Sequence, residues 1–190
     1  MTTNRQKSFI ATLELDTHHL NILQALYETP VQRKDFLFSG GFYTGGVVVR
    51  DDSHLLGRRP DSEVKNAPSM NIYFRCTDDY YHLYIRSHAT HTGHCISNDP
   101  AGVLGAFLPA GSKTTSFNLL SLDNRTITLR DMHNDVQRVR LKARNARHIS
   151  AIRRRGAPYS YLAETDHEGI PFKLRIIERN ASFLGFPDEI

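Results

Sequence analysis

Residues 117–131 read FNLLSLDNRTITLRD. Phe117, Leu119 and Leu122 precede a polar turn at Asp123-Asn124, and Ile127 and Leu129 alternate after it. Apolar alternation on both sides of a polar dipeptide is the signature of a β-hairpin. The same pattern occurs before and after it. MNIYFRCTDDYYHLYIR spans Met70 to Arg86, and FKLRIIERNASFLGF spans Phe172 to Phe186. Each copy opens on a large apolar residue, a polar residue and an aliphatic one: Met70/Ile72, Phe117/Leu119 and Phe172/Leu174. The turns fall at Thr77-Asp78-Asp79, Asp123-Asn124 and Arg179-Asn180, residue types that accept turn backbones.

Upstream of each hairpin the order of short apolar runs repeats. Val47 to Val49 and Leu55-Leu56 precede the first hairpin; Cys95-Ile96 and Leu104 to Leu108 precede the second; His148-Ile149 and Tyr159 to Ala163 precede the third. The separations Val49 to Met70, Ile96 to Phe117 and Ile149 to Phe172 are 21, 21 and 23 residues. A constant internal spacing indicates an internal repeat. The expectation is an all-β domain over residues 36–190, in three similar units of about four strands each. Residues 1–35 form an N-terminal extension with a short strand at Phe9 to Leu15. They also carry one helix, over about 16–28, capped at Asp16-Thr17 and ended by Pro30. Leu20, Leu23 and Leu26 would dock that helix on the barrel.

Three such units resemble the β-trefoil, a six-stranded barrel closed at one end by three hairpins. The resemblance is one of architecture and covers roughly residues 36–190. The Gln-x-Trp motif of ricin-type trefoil lectins is absent, since the chain has no Trp. Proteins of this architecture include lectins, protease inhibitors, growth factors and toxin subunits, so the resemblance implies binding rather than catalysis.

Composition sets the outer limits. The chain has 190 residues, 39% of them hydrophobic, with ten Phe and eight Tyr. That is enough to build one well-filled core. Two cysteines, Cys76 and Cys95, allow at most one bridge, so no disulfide framework holds the fold. No apolar run approaches the roughly 20 residues of a membrane-spanning helix. The N-terminus has no apolar stretch of secretory type, so a cytoplasmic protein, or one released without a visible signal, is expected.

Net charge is +4, but the cations are concentrated. The segment from Arg138 to Arg155 holds Arg138, Arg140, Lys142, Arg144, Arg147, Arg153, Arg154 and Arg155, and no acid. The first four stand at period two, so on a strand they share one face, while Val139, Leu141 and Ala143 take the other. Guanidinium groups suit sulfate, phosphate and carboxylate. An anion-binding surface of Arg138, Arg140, Lys142, Arg144, Arg153, Arg154 and Arg155 is therefore expected. Some trefoil growth factors bind sulfated glycans through basic residues of their third unit, and this segment is similarly placed.

Sugar recognition needs carboxylates and amides for hydroxyls and an aromatic face for the ring. Asp78, Asp79, Tyr80 and Tyr81 in the first hairpin, with Asp123 and Asn124 in the second, supply those groups. His88, His91 and His94 stand three residues apart before Cys95 and are candidate imidazole ligands. Their spacing matches no established zinc pattern, so a polar, titratable loop is expected there. No nucleophile-elbow, phosphate-loop or His-Glu-x-x-His motif is present, and no cofactor is implied. The expectation is a non-enzymatic glycan-binding module of a defence or toxin system. The alternatives are a protease inhibitor presenting the 58–69 or 109–116 loop, and a polyanion or nucleic-acid binder acting through residues 138–155. The partners in view are a glycan or other polyanionic surface, or a protease or partner subunit.

Overall fold

Six strands close on one another so that none of them keeps a free edge along the barrel wall. The computed structural model describes residues 3–39, 42–66 and 68–182. The six are β1 (Phe9–Glu14), β6 (Asn71–Thr77), β7 (Tyr80–Ile85), β10 (Phe117–Leu120), β12 (Val136–Ala143) and β15 (Phe172–Arg179). They pair antiparallel in the cyclic order β1-β6-β7-β10-β12-β15, and β15 returns to β1 with Phe9 opposite Arg179 and Glu14 opposite Lys173. Closure satisfies the backbone groups that an open sheet would leave at its edges.

Alternation decides what faces inward. On β15, Phe172, Leu174 and Ile176 are buried while Lys173 and Arg175 face out. On β12, Val139, Leu141 and Ala143 are buried, as the period-two reading requires. The paired residues Met70/Ile72, Phe117/Leu119 and Phe172/Leu174 all enter one core. There Phe9 stacks on Phe74 at 4.6 Å between ring centroids, with Tyr81 edge-on to Phe9 at 5.5 Å.

Three hairpins cover one end of the barrel. They are β2 (His18–Ile22) with β5 (Leu56–Pro60), β8 (Cys95–Asn98) with β9 (Leu104–Phe107), and β13 (His148–Arg153) with β14 (Ser160–Thr165). They also touch one another in a ring. β5 pairs β14 at Gly57–Tyr161, Leu55 bridges Gly105, and Val103 bridges Ala163. The approach is close: a Cβ on Gly57 would lie 2.5 Å from the Ser160 carbonyl oxygen, so a side chain is excluded there. The chain thus passes three times through strand, hairpin and strand: β1-β2-β5-β6, β7-β8-β9-β10 and β12-β13-β14-β15. Between the second and third passages, β11 (Thr126–Ile127) adds a short pairing to β10. A second apolar cluster under the hairpins holds Leu23, Leu26, Val31, Leu55, Val103, Tyr161 and Ala163.

The strand pairing differs from the one expected. The second arm of the third hairpin is β1, from the other end of the chain; residues 183–186 of that expected hairpin lie outside the described residues. In the second hairpin β11 is only two residues long, and the full partner of β10 is β12. Residues 9–22 are not an appendage, because β1 is paired on both sides within the barrel wall and β2 belongs to a covering hairpin. The expected helix over 16–28 is β2 followed by a single helical turn, α2 (Leu23–Tyr27), after the N-terminal α1 (Asn4–Lys7). A helix of that length is marginal by itself, and cross-strand pairing of His18 to Ile22 with β5 outweighs it. Leu20 accordingly enters the barrel core, while Leu23 and Leu26 pack outside it.

Val47 to Val49 belong to an inserted hairpin, β3 (Gln32–Ser39) and β4 (Phe42–Asp51), which forms its own two-stranded sheet. The boundary expected at residue 36 therefore falls inside β3. The polar turns are as read: Asp78, Asn124 and Asn180 have φ of 54°, 61° and 56°, values Asp and Asn tolerate better than other side chains. Cys76 and Cys95 are both buried and are not joined in a disulfide. Among the described residues no helix is long and apolar enough to cross a membrane.

Phe117 is fully buried at the seam where β7, β10 and β12 meet. Phe117→Ala is expected to cost about 3–5 kcal/mol in urea unfolding, the range for a buried Phe. A loss below about 1 kcal/mol would show that the seam repacks without it.

Candidate functional site

The turn from Arg153 to Gly156 joins β13 to β14, and its three arginines line three different concavities: Arg153 one, Arg154 a second, Arg155 a third. Gly156 makes this possible. Its φ is 78°, and a Cβ there would lie 2.0 Å from the Lys34 carbonyl oxygen. The turn therefore lies against β3, with Lys34 N–H donating to the Gly156 carbonyl at 3.3 Å. The inserted hairpin and the arginine turn form one surface.

A cavity of about 640 Å³ opens between that hairpin, the Asp99 loop and Arg154. Two of its lining residues, Arg33 and Asp52, belong to a buried polar triad with Tyr161. Arg33 Nε donates to Asp52 Oδ2 at 3.1 Å, and the Tyr161 hydroxyl donates to the same oxygen at 2.7 Å. The Arg33 and Asp52 side chains are only 9% and 6% exposed. Burial, reinforced by the bond to Asp52, pushes the Tyr161 hydroxyl well above its ordinary range, so it remains a donor. Arg33 stands directly opposite Arg50 across β3 and β4, an unfavourable like-charge pair. Asp35 resolves it, because one carboxylate oxygen accepts from Arg33 and the other accepts from Arg50 at 2.8 Å.

The walls are equally ordered. Asp99 Oδ1 accepts the backbone N–H groups of Ala101 and Val103, both at 2.8 Å, leaving Oδ2 turned toward Arg154 at 3.8 Å. The Arg154 guanidinium also lies over the Tyr161 ring, 5.6 Å from its centroid. Asp51 accepts from Ser53 N–H at 2.9 Å, and bonds to Ser53 hold its carboxyl below the ordinary carboxylate range. The cavity is thus lined by carboxylates and guanidiniums in alternation, each held by a neighbour. It offers fixed acceptors and donors to a polar ligand.

The remaining basic residues are dispersed. Arg138 makes a two-bond pair with Asp16 at 2.8 and 2.9 Å. Arg140 is mostly buried and ties two loops together, donating to the Gly169 carbonyl at 2.9 Å, to the Leu122 carbonyl and to Glu168 at 2.9 Å. Lys142 sits between Asn118 and His148 in the sheet. Arg144 covers the Tyr80 ring at 3.8 Å, and Arg147 pairs Asp166 at 3.0 Å. The structure brings Arg153, Arg154 and Arg155 to the hairpin-covered end and leaves Arg138, Arg140 and Lys142 along β12 with Arg144 just beyond it.

The sugar-binding candidates lie at the opposite end, on the connections β6–β7 and β10–β12. Asp78 and Asp79 are exposed, but α1 is fastened to that turn: Asp78 N–H donates to Asn4 Oδ1 at 3.1 Å, and Lys7 donates to the Asp78 carbonyl. Asp123 pairs Arg125 at 2.7 Å, and Asn124 accepts from Arg140 at 3.4 Å. Tyr81 cannot meet a ligand. It is fully buried, and its hydroxyl accepts the Leu129 N–H at 3.0 Å within the core. Residues 58–60 of the expected 58–69 loop belong to β5, and residues 61–63 form a 3-10 turn.

His88, His91 and His94 do cluster. Their rings meet edge to face at 5.0 and 5.1 Å, and the Nδ1 atoms of His88 and His91 are 3.3 Å apart. Among the described residues no group of three or more His, Cys, Asp or Glu is arranged to hold a metal ion. Burial, then the neighbouring imidazoles, lower the pKa of His88 and His91 below the ordinary 6.5.

Sequence reading missed Arg33, Asp35, Arg50 and Asp52, four of the groups that shape the cavity beside the inserted hairpin; Asp99 stands in the polar Asn98-Asp99 loop, one of several loops whose carboxylate and amide groups suit sugar hydroxyls. A signal existed: Arg33-Lys34-Asp35 and Arg50-Asp51-Asp52 place opposite charges at matched ends of two apolar runs.

Asp52→Ala would leave the Arg33 charge and the Tyr161 hydroxyl without their shared acceptor. Such a change at a buried pair costs about 3–5 kcal/mol. Urea unfolding of the variant tests this, and a loss within about 0.5 kcal/mol would mean the triad is not buried in solution. The histidines add a pH dependence. A lowered folded-state pKa means the unfolded chain takes up protons first, so stability is lost as pH falls through 6.5. The melting temperature is expected to fall on acidification through that window, and His88→Gln with His91→Gln to flatten the fall. An equal fall in the double variant would assign it to other groups, His82 among them.

Comparison with protein-family models, with curated proteins and with solved structures finds no match to this chain.

Proposed function

We propose that this chain is a non-enzymatic, glycan-binding protein of β-trefoil type, and that the cavity between the inserted hairpin and the arginine turn is its binding site. Two topological features support the architecture. The six barrel strands follow one another around the barrel in chain order, and three strand–hairpin–strand passages each place a hairpin over the same end.

The observation that carries the glycan reading is the lining of the cavity. About 640 Å³ is within the range of small-ligand sites. Arg33, Arg50 and Arg154 face Asp35, Asp51, Asp52 and Asp99, so positive and negative groups nearly balance. Such a cavity favours no strong net charge. It suits a ligand that both donates and accepts many hydrogen bonds, as a sugar's hydroxyl groups do. The buried triad and the backbone-held Asp99 keep these groups in place before the ligand arrives, which lowers the ordering cost of binding. The site lies at the hairpin-covered end rather than at the Asp78-Asp79 and Asp123-Asn124 turns.

A fluorescently labelled protein on a glycan array tests this. Binding to a restricted set of neutral or weakly charged glycans is expected. Arg50 is 62% exposed, so Arg50→Ala should spare the fold. Losing one charge-assisted hydrogen bond costs about 1.5–3 kcal/mol, roughly ten- to hundredfold in Kd. Arg50→Ala and Asp99→Asn should each weaken binding by that order. No glycan bound at all, or both variants binding as the parent does, would overturn the reading.

A further inference from the structure

The arginine turn has a second side. Arg153, Ser160 and Arg58 stand in register on three adjacent strands: Arg153 pairs Ser160 across β13–β14, and Ser160 pairs Arg58 across β14–β5. Cross-strand partners project to the same face of a sheet. Two arginines therefore flank one serine hydroxyl, with their backbones about 10 Å apart at two strand spacings. All three line a cleft of about 460 Å³ together with Tyr27, His18 and Glu63.

The charges in this cleft do not balance. Glu63 is engaged by Arg59 at 3.3 Å, and Arg59 lies over the Tyr27 ring at 4.5 Å. Among the described residues neither Arg58 nor Arg153 has a carboxylate partner. Like charges set side by side on one sheet face repel each other, and an anion between them removes that repulsion. The donors are also prepared. Arg58 Nε donates to Ser160 Oγ at 3.3 Å, which orients the guanidinium and leaves the serine proton free to donate elsewhere.

We infer that this cleft binds a tetrahedral oxyanion, a sulfate or phosphate group, between Arg58 and Arg153 with the Ser160 hydroxyl as a third donor. Two guanidinium forks approaching from opposite sides, with a hydroxyl between them, match a group that presents three or more oxygens. A planar carboxylate would satisfy one fork and leave the other. The cleft is much larger than a bare oxyanion needs, which leaves room for the molecule that carries the group. This site is separate from the balanced cavity on the other side of the turn, and it does not depend on the glycan reading.

The test titrates inorganic sulfate, and separately inorganic phosphate, into the full chain against sodium chloride at matched ionic strength, read by calorimetry and by ¹⁵N chemical shifts. Saturable binding beyond the chloride control is expected, with the resonances of Arg58, Arg153 and Ser160 moving and those of Asp35 and Asp99 still. Arg153→Ala, at an exposed position, should weaken binding tenfold or more, and Arg58→Lys should weaken it while keeping one charge. Arg147→Ala, whose side chain pairs Asp166 elsewhere, should bind as the parent does. A sulfated disaccharide binding more tightly than inorganic sulfate, with its desulfated form inert, would identify an ester-bearing ligand; equal affinities would identify the free ion. No saturable binding beyond chloride, shifts centred away from these three residues, or Arg153→Ala binding as tightly as the parent would overturn the assignment. Should the variants fail to fold, the shifts in the parent chain decide alone. Loss of glycan binding in Arg50→Ala with sulfate binding intact would separate this site from the other cavity.

Discussion

The pairing of β1 with β15 is the contact on which the rest of the structure depends. It joins the first strand of the barrel to the last and leaves no edge in the wall. Without it, β1 and β15 would each present a row of unpaired backbone groups, and the core on Phe9, Phe74 and Phe172 would open to water. The contact is also the most distant in sequence, so its loop-closure entropy is recovered only when all six strands are in place. The bulge between Ile10 and Ala11 fits β1 to the longer β15, and α1 seals the same corner through Ser8.

Once the barrel is closed, its three covering hairpins are held against one another, and that contact governs the candidate sites. Gly57 brings β5 to within backbone contact of β14, which aligns Arg58, Ser160 and Arg153. Gly156 brings the next turn against β3 and places Arg154 over Tyr161. Two glycines, each where a Cβ would collide with a carbonyl oxygen, thus fix both faces of the arginine turn. One face is balanced by aspartates from the inserted hairpin and the Asp99 loop. The other is not, because the sole carboxylate lining it among the described residues is held by Arg59.

Basic residues of one short segment therefore take different parts. Arg140 is a structural tie between two loops, Arg138 and Arg147 are surface ion pairs, and Arg144 covers a tyrosine. Exposed pairs of this kind contribute little to stability, whereas the mostly buried Arg140 donates to two backbone carbonyls and to Glu168. Net charge along a sequence window is thus a poor guide to an anion site; what matters is which cations lack acids in space.

Local pattern in the sequence determined the all-β class, the strand identities of β6, β7, β10, β12, β14 and β15, the inward set of Met70, Ile72, Phe117, Leu119, Phe172 and Leu174, and the polar turns at Asp78, Asn124 and Asn180. These follow from period-two alternation and turn chemistry, which act over a few residues. Tertiary structure alone decided which strands build the barrel. Val49 lies in an inserted hairpin that pairs within itself, so the 21-residue step from Val49 to Met70 does not join two barrel strands, and the strand that pairs with β6 begins at Phe9. It also decided that His18 to Ile22 is strand rather than helix, since the apolar residues Leu20, Ile22 and Leu23 fit either period and only the partner strand β5 chooses between them. The candidate sites belong to the same category. Arg33, Asp52, Tyr161 and Asp99, like Arg58, Ser160 and Arg153, lie far apart in the chain and acquire a joint chemistry only when three hairpins converge over one end of a closed barrel.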